Sequence, residues 1–413
     1  MNFLDDELAV AREGGSRRVQ NAKLTIAICT LANMVDGFDV LAIAFTSSAI
    51  MREWQLEPAT LGLLFSAGLA GMVLGSLLIS PLADRIGRRP VALGCMAAMS
   101  VGMFGAAIAD SAMVLMAFRF VTGLGIGGVL STLNTVVAEV APPHRRNMSM
   151  SILAIGYPLG STLGGLVAVA CIAALGWRSV FFIGGIATVA VLLLNWFFLP
   201  ESRTKAAGGK RSTPYSALLS AKFRPATTFL CLAFFLHMIC FFFVLNWTPR
   251  LVEMLGLSAE IGVTATIILN IGSLAGGLGY GLLADRLGWR AVGSSCFFAF
   301  AAFIAIFGFL PPSIPLIFAL SALVGLAMSG AMTSLYALAP LLYPADLRAS
   351  GTGMAISVGR IGATIGPALA GFAIGEGLDR TWLYGIFAVP PLLVALLMSR
   401  TAIQSHGGRP AQA

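Results

Sequence analysis

The sequence predicts an all-α integral membrane protein with twelve transmembrane helices in two pseudo-symmetric six-helix halves. Composition is the first observation: 58% of the 413 residues are hydrophobic, only 11% are charged, and the mean hydropathy is +0.89. A soluble globular chain cannot bury so much apolar surface. The second observation is a series of apolar runs of membrane-spanning length, and the third is an internal repeat of about half the chain.

Twelve apolar stretches are each close to or above the roughly 20 residues that cross a bilayer as a helix. A barrel would instead need alternating segments of about ten residues, and lipid tolerates no open sheet edge, so the stretches are predicted helices. Those of the first half cover residues 24–50, 59–83, 90–109, 112–140, 147–173 and 178–199. Those of the second half cover residues 226–248, 259–283, 291–310, 314–341, 351–374 and 382–399.

A repeated motif relates the two halves. The fragment Leu-Ala-Asp-Arg-x-Gly occurs at Leu82–Gly87 and again at Leu283–Gly288, and its aspartates are 285 − 84 = 201 residues apart. A Gly-x-x-x-Gly pair at Gly160 and Gly164 recurs 202 residues later, at positions 362 and 366. Parallel halves of this kind in a membrane protein indicate an alternating-access transporter whose site lies between them.

Charge placement predicts the organisation of the chain. We expect a cytoplasmic tail (1–23), a six-helix half (24–200), a cytoplasmic linker (201–224), a second half (225–400) and a cytoplasmic tail (401–413). Apart from Arg119 and Arg360, 20 Lys and Arg fall on the side of the termini and four on the other, so both termini are predicted to be cytoplasmic. No cleavable signal is evident, and we expect a multi-pass plasma (inner) membrane protein. The net charge of +8 is scattered over short loops, so no nucleic-acid partner is expected.

Four charged side chains fall well inside predicted spans, away from the span ends. They are Asp36 and Asp39 in the first, Arg119 in the fourth and Arg360 in the eleventh. A charge at the centre of a membrane helix costs about 2.5–3.5 kcal/mol on insertion scales, so such residues face the interior of the bundle, an aqueous path or one another. Two interpretations stay open for the set: structural ion pairs between helices, or a role in coupling and binding.

Several motifs resemble those of a known family. Motifs similar to those of the major facilitator superfamily are Asp84–Arg89, Arg119 with Gly123, Gly125 and Gly127, and Pro200–Ser202. Motifs that resemble its aromatic acid:proton symporters are Asp36–Asp39, Asn246–Pro249, Tyr336–Pro340 and Gly359–Gly362. The resemblance implies a proton-coupled secondary active transporter that imports a small aromatic carboxylate of the benzoate, hydroxybenzoate or phenylpropionate class. The alternative is an organic-anion or drug:proton antiporter of the same superfamily.

Proton coupling is expected at the first helix. Asp36 and Asp39 are three residues apart and share a helix face. Two carboxylates held close together do not both ionise easily, so one of them is the candidate proton carrier, and either fits. The resemblance implies that Arg119 couples to these acids. His237, a lone polar residue in the seventh span, is a candidate proton relay or a hydrogen-bonding residue between helices.

Substrate binding is expected at Arg360, because its guanidinium presents a planar fork that matches a carboxylate. The equivalent position in the first half, 360 − 202 = 158, is Pro158, so this charge belongs to one half only. Arg119 is the alternative carboxylate ligand. Candidate aromatic walls and polar contacts, each of which also fits ordinary packing, are Phe38, Tyr157, Trp247, Tyr336, Asn134 and Asn270.

The repeated loop is interpreted as a gate. It lies at cytoplasmic helix ends, where neighbouring acids and bases suit an ion-pair latch that closes in one state and breaks in the other. Each surface pair contributes about 0–1 kcal/mol, which suits a reversible gate. Trp289 replaces a basic residue in the second copy, so the gate is not expected to be symmetric. The candidate gating residues are Asp84, Arg85, Gly87, Arg88, Arg89, Glu139, Asp285 and Arg286.

Enzymatic chemistry is not expected. The three histidines, His144, His237 and His406, are remote from one another in sequence, and no nucleophile, metal or phosphate-binding motif appears. The six cysteines lie in apolar runs without metal-ligand spacing. The expected partners are therefore a small aromatic carboxylate, protons and the lipid bilayer, with no cofactor or metal, and we expect a functional monomer.

Overall fold

Helices account for the regular structure in the part of the chain that the computed structural model describes, residues 2–142, 145–200, 215–344 and 347–400. Within these ranges, the side chains of residues 2–21, 80, 84, 147, 215, 216, 339, 340 and 349 are not described. Most of the expected linker and the whole C-terminal tail lie outside the described residues, as does His144.

Short connections join successive helices within each half. Those of the first half are α1 (Asn2–Trp54), α2 (Pro58–Leu78), α3 (Ser80–Ile86), α4 (Arg88–Ala107), α5 (Ala112–Val140), α6 (Arg146–Leu175) and α7 (Arg178–Phe198). A short helix, α8 (Tyr215–Leu218), precedes the second half. Those of the second half are α9 (Arg224–Glu253), α10 (Ala259–Leu287), α11 (Trp289–Gly308), α12 (Ile314–Leu342), α13 (Arg348–Gly375) and α14 (Arg380–Arg400).

The described residues include twelve helical stretches that are long and apolar enough to cross a membrane. They begin with residues Ala22–Trp54 of α1, and α2 continues through a break at Ile79 into α3 as one stretch, Pro58–Ala83. The twelve predicted spans are confirmed. The largest difference is at the end of the seventh, which was expected at residue 248 and lies at Glu253, 253 − 248 = 5 residues later.

Glycine lets helices pack backbone to backbone, and the same contacts recur in both halves. A Cβ atom at Gly75 of α2 would lie 2.1 Å from the carbonyl oxygen of Leu124 in α5. A Cβ atom at Gly276 of α10 would lie 2.0 Å from the carbonyl oxygen of Leu326 in α12. Only glycine permits such an approach. The internal repeat inferred from sequence is therefore visible in the packing.

The Gly-x-x-x-Gly pairs serve a second repeated contact, which is the expected use of small residues between membrane helices. Gly160 of α6 faces the carbonyl oxygen of Met34 in α1, where an added Cβ would lie 1.7 Å away. Gly362 of α13 faces the carbonyl oxygen of Phe235 in α9, where an added Cβ would lie 2.4 Å away. Since 235 − 34 = 201, α1 and α9 are equivalent in this register.

In the described part of the chain, the two halves contact each other mainly through three helix pairs: α2 with α13, α6 with α10, and α1 with α9. At the α2–α13 contact, glycines let the two helix backbones approach each other closely. A Cβ at Gly62 would lie 2.7 Å from the Pro367 carbonyl oxygen, and one at Gly371 would lie 2.6 Å from the Pro58 carbonyl oxygen. These contacts lie where α1 ends and α2 begins, so the halves meet closely on that face of the membrane.

Candidate functional site

Two aspartates lie completely inside the helix bundle. Asp36 is 1% exposed and Asp39 is 0% exposed, and none of their four carboxylate oxygens has a partner at hydrogen-bond distance and angle. Gly37 between them has a packing role, because a Cβ there would lie 2.0 Å from the Tyr157 carbonyl oxygen. Ser161 also donates a hydrogen bond to the Gly37 carbonyl, at 3.1 Å. Helix α6 therefore holds this stretch of α1 in place.

Asp36 is paired electrostatically with Arg360 of the other half. The two charges interact, although their side chains do not form an ion pair. Arg360 is partly exposed and directs one N–H towards the Met72 carbonyl oxygen of α2, at 3.4 Å. This cation of the second half therefore faces the first half, which supplies both a backbone dipole and a carboxylate near it.

Two tyrosines flank this pair, one from each half. Tyr157 of α6 interacts electrostatically with Asp36, and its hydroxyl is buried without a hydrogen-bond partner. Tyr336 of α12 interacts with Arg360. Its side chain is 43% exposed, and its ring contacts Phe234 edge-on at 5.4 Å between centroids. An acid, a base and two phenols therefore converge where the halves meet.

A second group lies within the first half. Arg119 of α5 is buried and donates a hydrogen bond to the backbone carbonyl of Asp39, at 2.8 Å. Its guanidinium also lies over the ring of Phe181, 5.9 Å from the centroid. The charges of Arg119 and Asp39 interact, Asp36 adds a second negative charge, and the Thr188 hydroxyl of α7 lies close to Asp39. Arg119 therefore belongs with the first-helix acids and not with Arg360.

Two of the candidate aromatic walls are packing residues and are not in the group around Arg360. Phe38 fills the space between α1 and α7, since a Cβ at Gly184 would lie 2.6 Å from its ring. Trp247 is fully buried and donates its indole N–H to the Pro367 carbonyl oxygen, at 3.0 Å. Its ring contacts Phe65 of α2 edge-on at 5.4 Å, so Trp247 also joins the halves.

His237 lies apart from these groups, in an aromatic pocket between α9 and α11. Its ring is fully buried and lies 5.4 to 5.8 Å from the ring centroids of Phe241, Phe297 and Phe300. Neither ring nitrogen has a hydrogen-bond partner. Of the two interpretations of His237, the hydrogen bond between helices is therefore wrong, because the neighbouring rings offer no acceptor, and the proton relay stays a prediction.

The two candidate asparagines use their amide donors within their own helices. Asn134 donates to the Leu130 carbonyl oxygen at 2.7 Å, and Asn270 donates to the Thr266 carbonyl oxygen at 3.0 Å. Asn134 is partly exposed and Asn270 is buried. Of the two, Asn134 keeps the more accessible side chain.

The first copy of the repeated loop contains an ion pair. Arg88, at the start of α4, is 7% exposed and pairs with Glu139 near the end of α5. The adjacent Arg89 donates a hydrogen bond to the Trp196 carbonyl oxygen at the end of α7. The loop therefore ties together the ends of three helices of the first half.

The second copy keeps the turn and lacks the ion pair. Gly87 and Gly288 both have positive φ, +102° and +86°, and both end a helix, which explains glycine at this position of each motif. Asp285 and Arg286 are exposed and pair with no described side chain. At the positions of Arg88 and Glu139 the second half carries Trp289 and, since 139 + 202 = 341, Leu341. Arg85 is exposed, and the side chain of Asp84 lies outside the described residues.

The pairings between the halves are the part of the site that sequence reasoning missed. The Met72 carbonyl that faces Arg360 is a backbone group and leaves no signal in the sequence. The assignment of Arg119 to Asp39 and of Arg360 to Asp36 also needs the packing of α1, α5 and α13. Among the described residues, no cluster of His, Cys, Asp and Glu side chains is placed to hold a metal ion.

Comparison with known proteins places this architecture in a family. The model of the Major Facilitator Superfamily matches residues 27–291 and 270–413. The gallate transporter of Pseudomonas putida is 30% identical over 404 residues, covering 90% of each chain. The 3-(3-hydroxy-phenyl)propionate transporter of Escherichia coli (strain K12) is 32% identical over 384 residues, covering 91% of this chain and 94% of that protein. The 4-hydroxybenzoate transporter PcaK of Acinetobacter baylyi is 28% identical over 422 residues, covering 93% of this chain and 92% of that protein.

Solved structures show the same fold at lower identity. The crystal structure of a D-xylose-proton symporter has a TM-score of 0.75 at 19% identity, covering 91% of this chain and 97% of that one. A crystal structure of the nucleoside transporter NupG also has a TM-score of 0.75, at 15% identity, and the match covers 91% of this chain and 98% of that one.

Twelve membrane-spanning helices in two equivalent halves, with charged groups where the halves meet, are the architecture of a membrane transporter. The chain belongs to the major facilitator superfamily. The resemblance to its aromatic acid transporters, inferred from sequence motifs, is confirmed by the relatives at 25–32% identity over most of the chain. The protein is therefore a multi-pass membrane transporter and not an enzyme.

Proposed function

We propose that this transporter imports a small aromatic carboxylate together with protons, by alternating access between its two halves. The observation that carries the proposal is the buried carboxylate of Asp36, which has no hydrogen bond and interacts electrostatically with the guanidinium of Arg360 from the opposite half. An acid that takes up a proton and a base that binds an anion are thereby coupled at one place.

The relatives support the substrate class. Their names specify gallate, 3-(3-hydroxy-phenyl)propionate, gentisate, 4-hydroxybenzoate and benzoate. Each of these is an aromatic ring that carries a carboxylate. The group around Arg360 suits this chemistry, because guanidinium binds a carboxylate through two parallel hydrogen bonds and the Tyr336 ring offers a flat surface beside it.

Coupling follows from competition for one positive charge. With no substrate, the Arg360 guanidinium stabilises the ionised form of Asp36. A bound carboxylate neutralises that cation, and Asp36, buried and without hydrogen bonds, then takes up a proton because an isolated buried charge is costly. By linkage, a proton on Asp36 frees Arg360 and strengthens substrate binding. Asp39 and Arg119 form the second acid–base pair through which this proton moves.

The proposal includes the orientation of the protein in the membrane. Both termini are cytoplasmic and the protein lies in the plasma (inner) membrane, which the excess of Lys and Arg on the side of the termini supports. The close α2–α13 contact at Gly62 and Gly371 then lies on the outer face. Because one chain contains both halves and the whole group around Arg360, the monomer is the functional unit.

The Arg88–Glu139 pair is proposed as a cytoplasmic gate, with Arg85, Gly87, Arg89 and Asp84 of the same loop. Glu139→Gln removes one partner of a pair that lies far along α5 from Arg119. We expect the maximal transport rate to fall severalfold, with equilibrium substrate affinity nearly unchanged, because the pair acts on conformational exchange. Initial uptake rates and ligand-binding titrations measure the two quantities, and Glu57→Gln on the opposite face is the matched control. An equal loss of rate and affinity would point to a folding or binding role instead.

Arg360→Lys keeps the positive charge and loses the planar fork. We expect affinity for 4-hydroxybenzoate to fall by roughly 30-fold or more, because truncating one side of a buried charge pair typically costs about 2–5 kcal/mol. Calorimetric or fluorescence titration of the purified protein measures the affinity. Arg348→Lys, an exposed position on the same helix, is the control and should bind as wild type does.

Arg119→Lys should leave more of the affinity intact and disturb proton coupling, since Arg119 contacts Asp39. The assignment of the carboxylate to Arg360 fails if Arg360→Lys binds the acid as tightly as wild type. It also fails if a neutral amide analogue of the substrate competes as well as the carboxylate does.

Proton coupling is tested by uptake of radiolabelled 4-hydroxybenzoate into right-side-out membrane vesicles with an imposed inward proton gradient. Wild type should accumulate the acid, and an uncoupler should abolish the accumulation. Asp36→Asn and Asp39→Asn should each abolish it although the protein reaches the membrane, while the exposed Asp110→Asn should behave as wild type. Accumulation that survives the uncoupler excludes symport. Efflux driven by the same gradient identifies the antiporter alternative.

A further inference from the structure

Four arginines lie near the membrane face opposite the termini, and three of them bind within their own half. Arg178 donates to Glu53 at 2.7 Å and to the Ala109 carbonyl oxygen at 3.2 Å. Its counterpart Arg380, 380 − 178 = 202 residues later, donates to the Leu310 carbonyl oxygen at 2.9 Å. These two bonds hold equivalent helix ends together in each half.

The third and fourth arginines share one acid. Arg250 pairs with Glu253 one turn along α9, at 2.7 Å. Arg52, at the end of α1, approaches the other carboxylate oxygen of Glu253 at 3.8 Å. Among the side chains that the structure describes, this is the ion pair that connects the first half to the second.

The end of α1 is fixed to its own half by the residue that follows Arg52. Glu53 accepts hydrogen bonds from the indole N–H of Trp177 and from Arg178, both at 2.7 Å. Arg178 also lies over the Trp177 ring, 4.4 Å from the centroid, a cation–π geometry. The end of α1 that carries Arg52 is therefore held against the first half.

Glu253 is fixed to the second half in the same way, through Arg250. Its side chain is 14% exposed, whereas that of Arg52 is 65% exposed. The pair borders a cavity of about 360 Å³ between the halves, lined by residues of α1, α6, α9 and α10. Each partner is held by its own half, so the length of this ion pair reports directly on the separation of the halves at this face.

We propose that Arg52 and Glu253 form an outer latch, which holds this face closed and breaks each time the face opens. The proposal rests on the alternating access proposed above. Because Arg52 is mostly exposed to solvent, the pair is weak and screened by salt, which is what a contact that reforms in every cycle requires. The latch complements the Arg88–Glu139 pair on the other face, which lies inside one half.

The test measures the distance between the two halves by spin-label spectroscopy, with cysteines at Ser111 and Pro312. These positions lie in the loops before α5 and α12, on the same face and in opposite halves. The partly exposed Cys171, Cys231 and Cys296 are replaced by serine in all samples. Arg52→Glu and Glu253→Arg should each increase the ratio of wide to narrow separations by about two- to fivefold. High salt should shift wild type in the same direction.

The double variant Arg52→Glu with Glu253→Arg restores the opposite charges and should return the distribution towards that of wild type. Arg380→Gln removes an arginine on the same face that bonds only within its half, and should leave the distribution unchanged. Single variants without effect, or a double variant no closer to wild type than the single ones, would overturn the latch. Neither substrate nor a proton gradient is needed, so a negative result leaves the proposed function to its own uptake and binding tests.

Discussion

The cost of charge inside a membrane is the constraint on which this structure depends. Asp36, Asp39, Arg119 and Arg360 lie in apolar helices, where an unpaired charge is expensive, and each one interacts with an opposite charge. One pairing stays inside the first half, whereas the other connects the halves. A movement of the halves must therefore change the electrostatic balance of Asp36 and Arg360, and this makes a proton and an anion able to drive one another.

The residues to which we assign function lie at positions where the two otherwise equivalent halves differ. The two halves share nearly the same helix contacts through Gly75 and Gly276. They also share the hydrogen bonds by which Arg178 and Arg380 hold equivalent helix ends together. In the register that relates Met34 to Phe235, Asp36 corresponds to His237, since 237 − 36 = 201, and His237 has become part of an aromatic pocket. The equivalents of Arg360 and Glu139 are Pro158 and Leu341. The two halves therefore share the helix packing of the repeat and differ in the charged residues that they carry at equivalent positions.

Sequence reasoning predicted the fold well and the site in part. Span length, hydropathy and the repeat act over many residues, so the twelve helices were located within five residues at every end. The intramembrane charges were identified because they are rare in such helices. The resemblance implied the coupling of Arg119 to the first-helix acids, but the surroundings of Arg360 were not identified, since pairing depends on which helices meet. Arg360 faces the Met72 carbonyl, and Phe38 and Trp247 turn to packing surfaces. The Arg52–Glu253 contact likewise joins residues about 200 positions apart, with no local signal.

Proton exchange on substrate binding tests the coupling of Asp36 to Arg360 most directly. Purified protein in a weakly buffered solution at about pH 7.5, with a pH indicator, is mixed with 4-hydroxybenzoate, which is an anion under these conditions. Binding should remove protons from solution, because the bound carboxylate neutralises the cation that stabilises ionised Asp36. The Asp36→Asn protein should bind without this uptake. Wild-type binding that exchanges no protons, or that releases them, would rule out the coupling of Asp36 to Arg360.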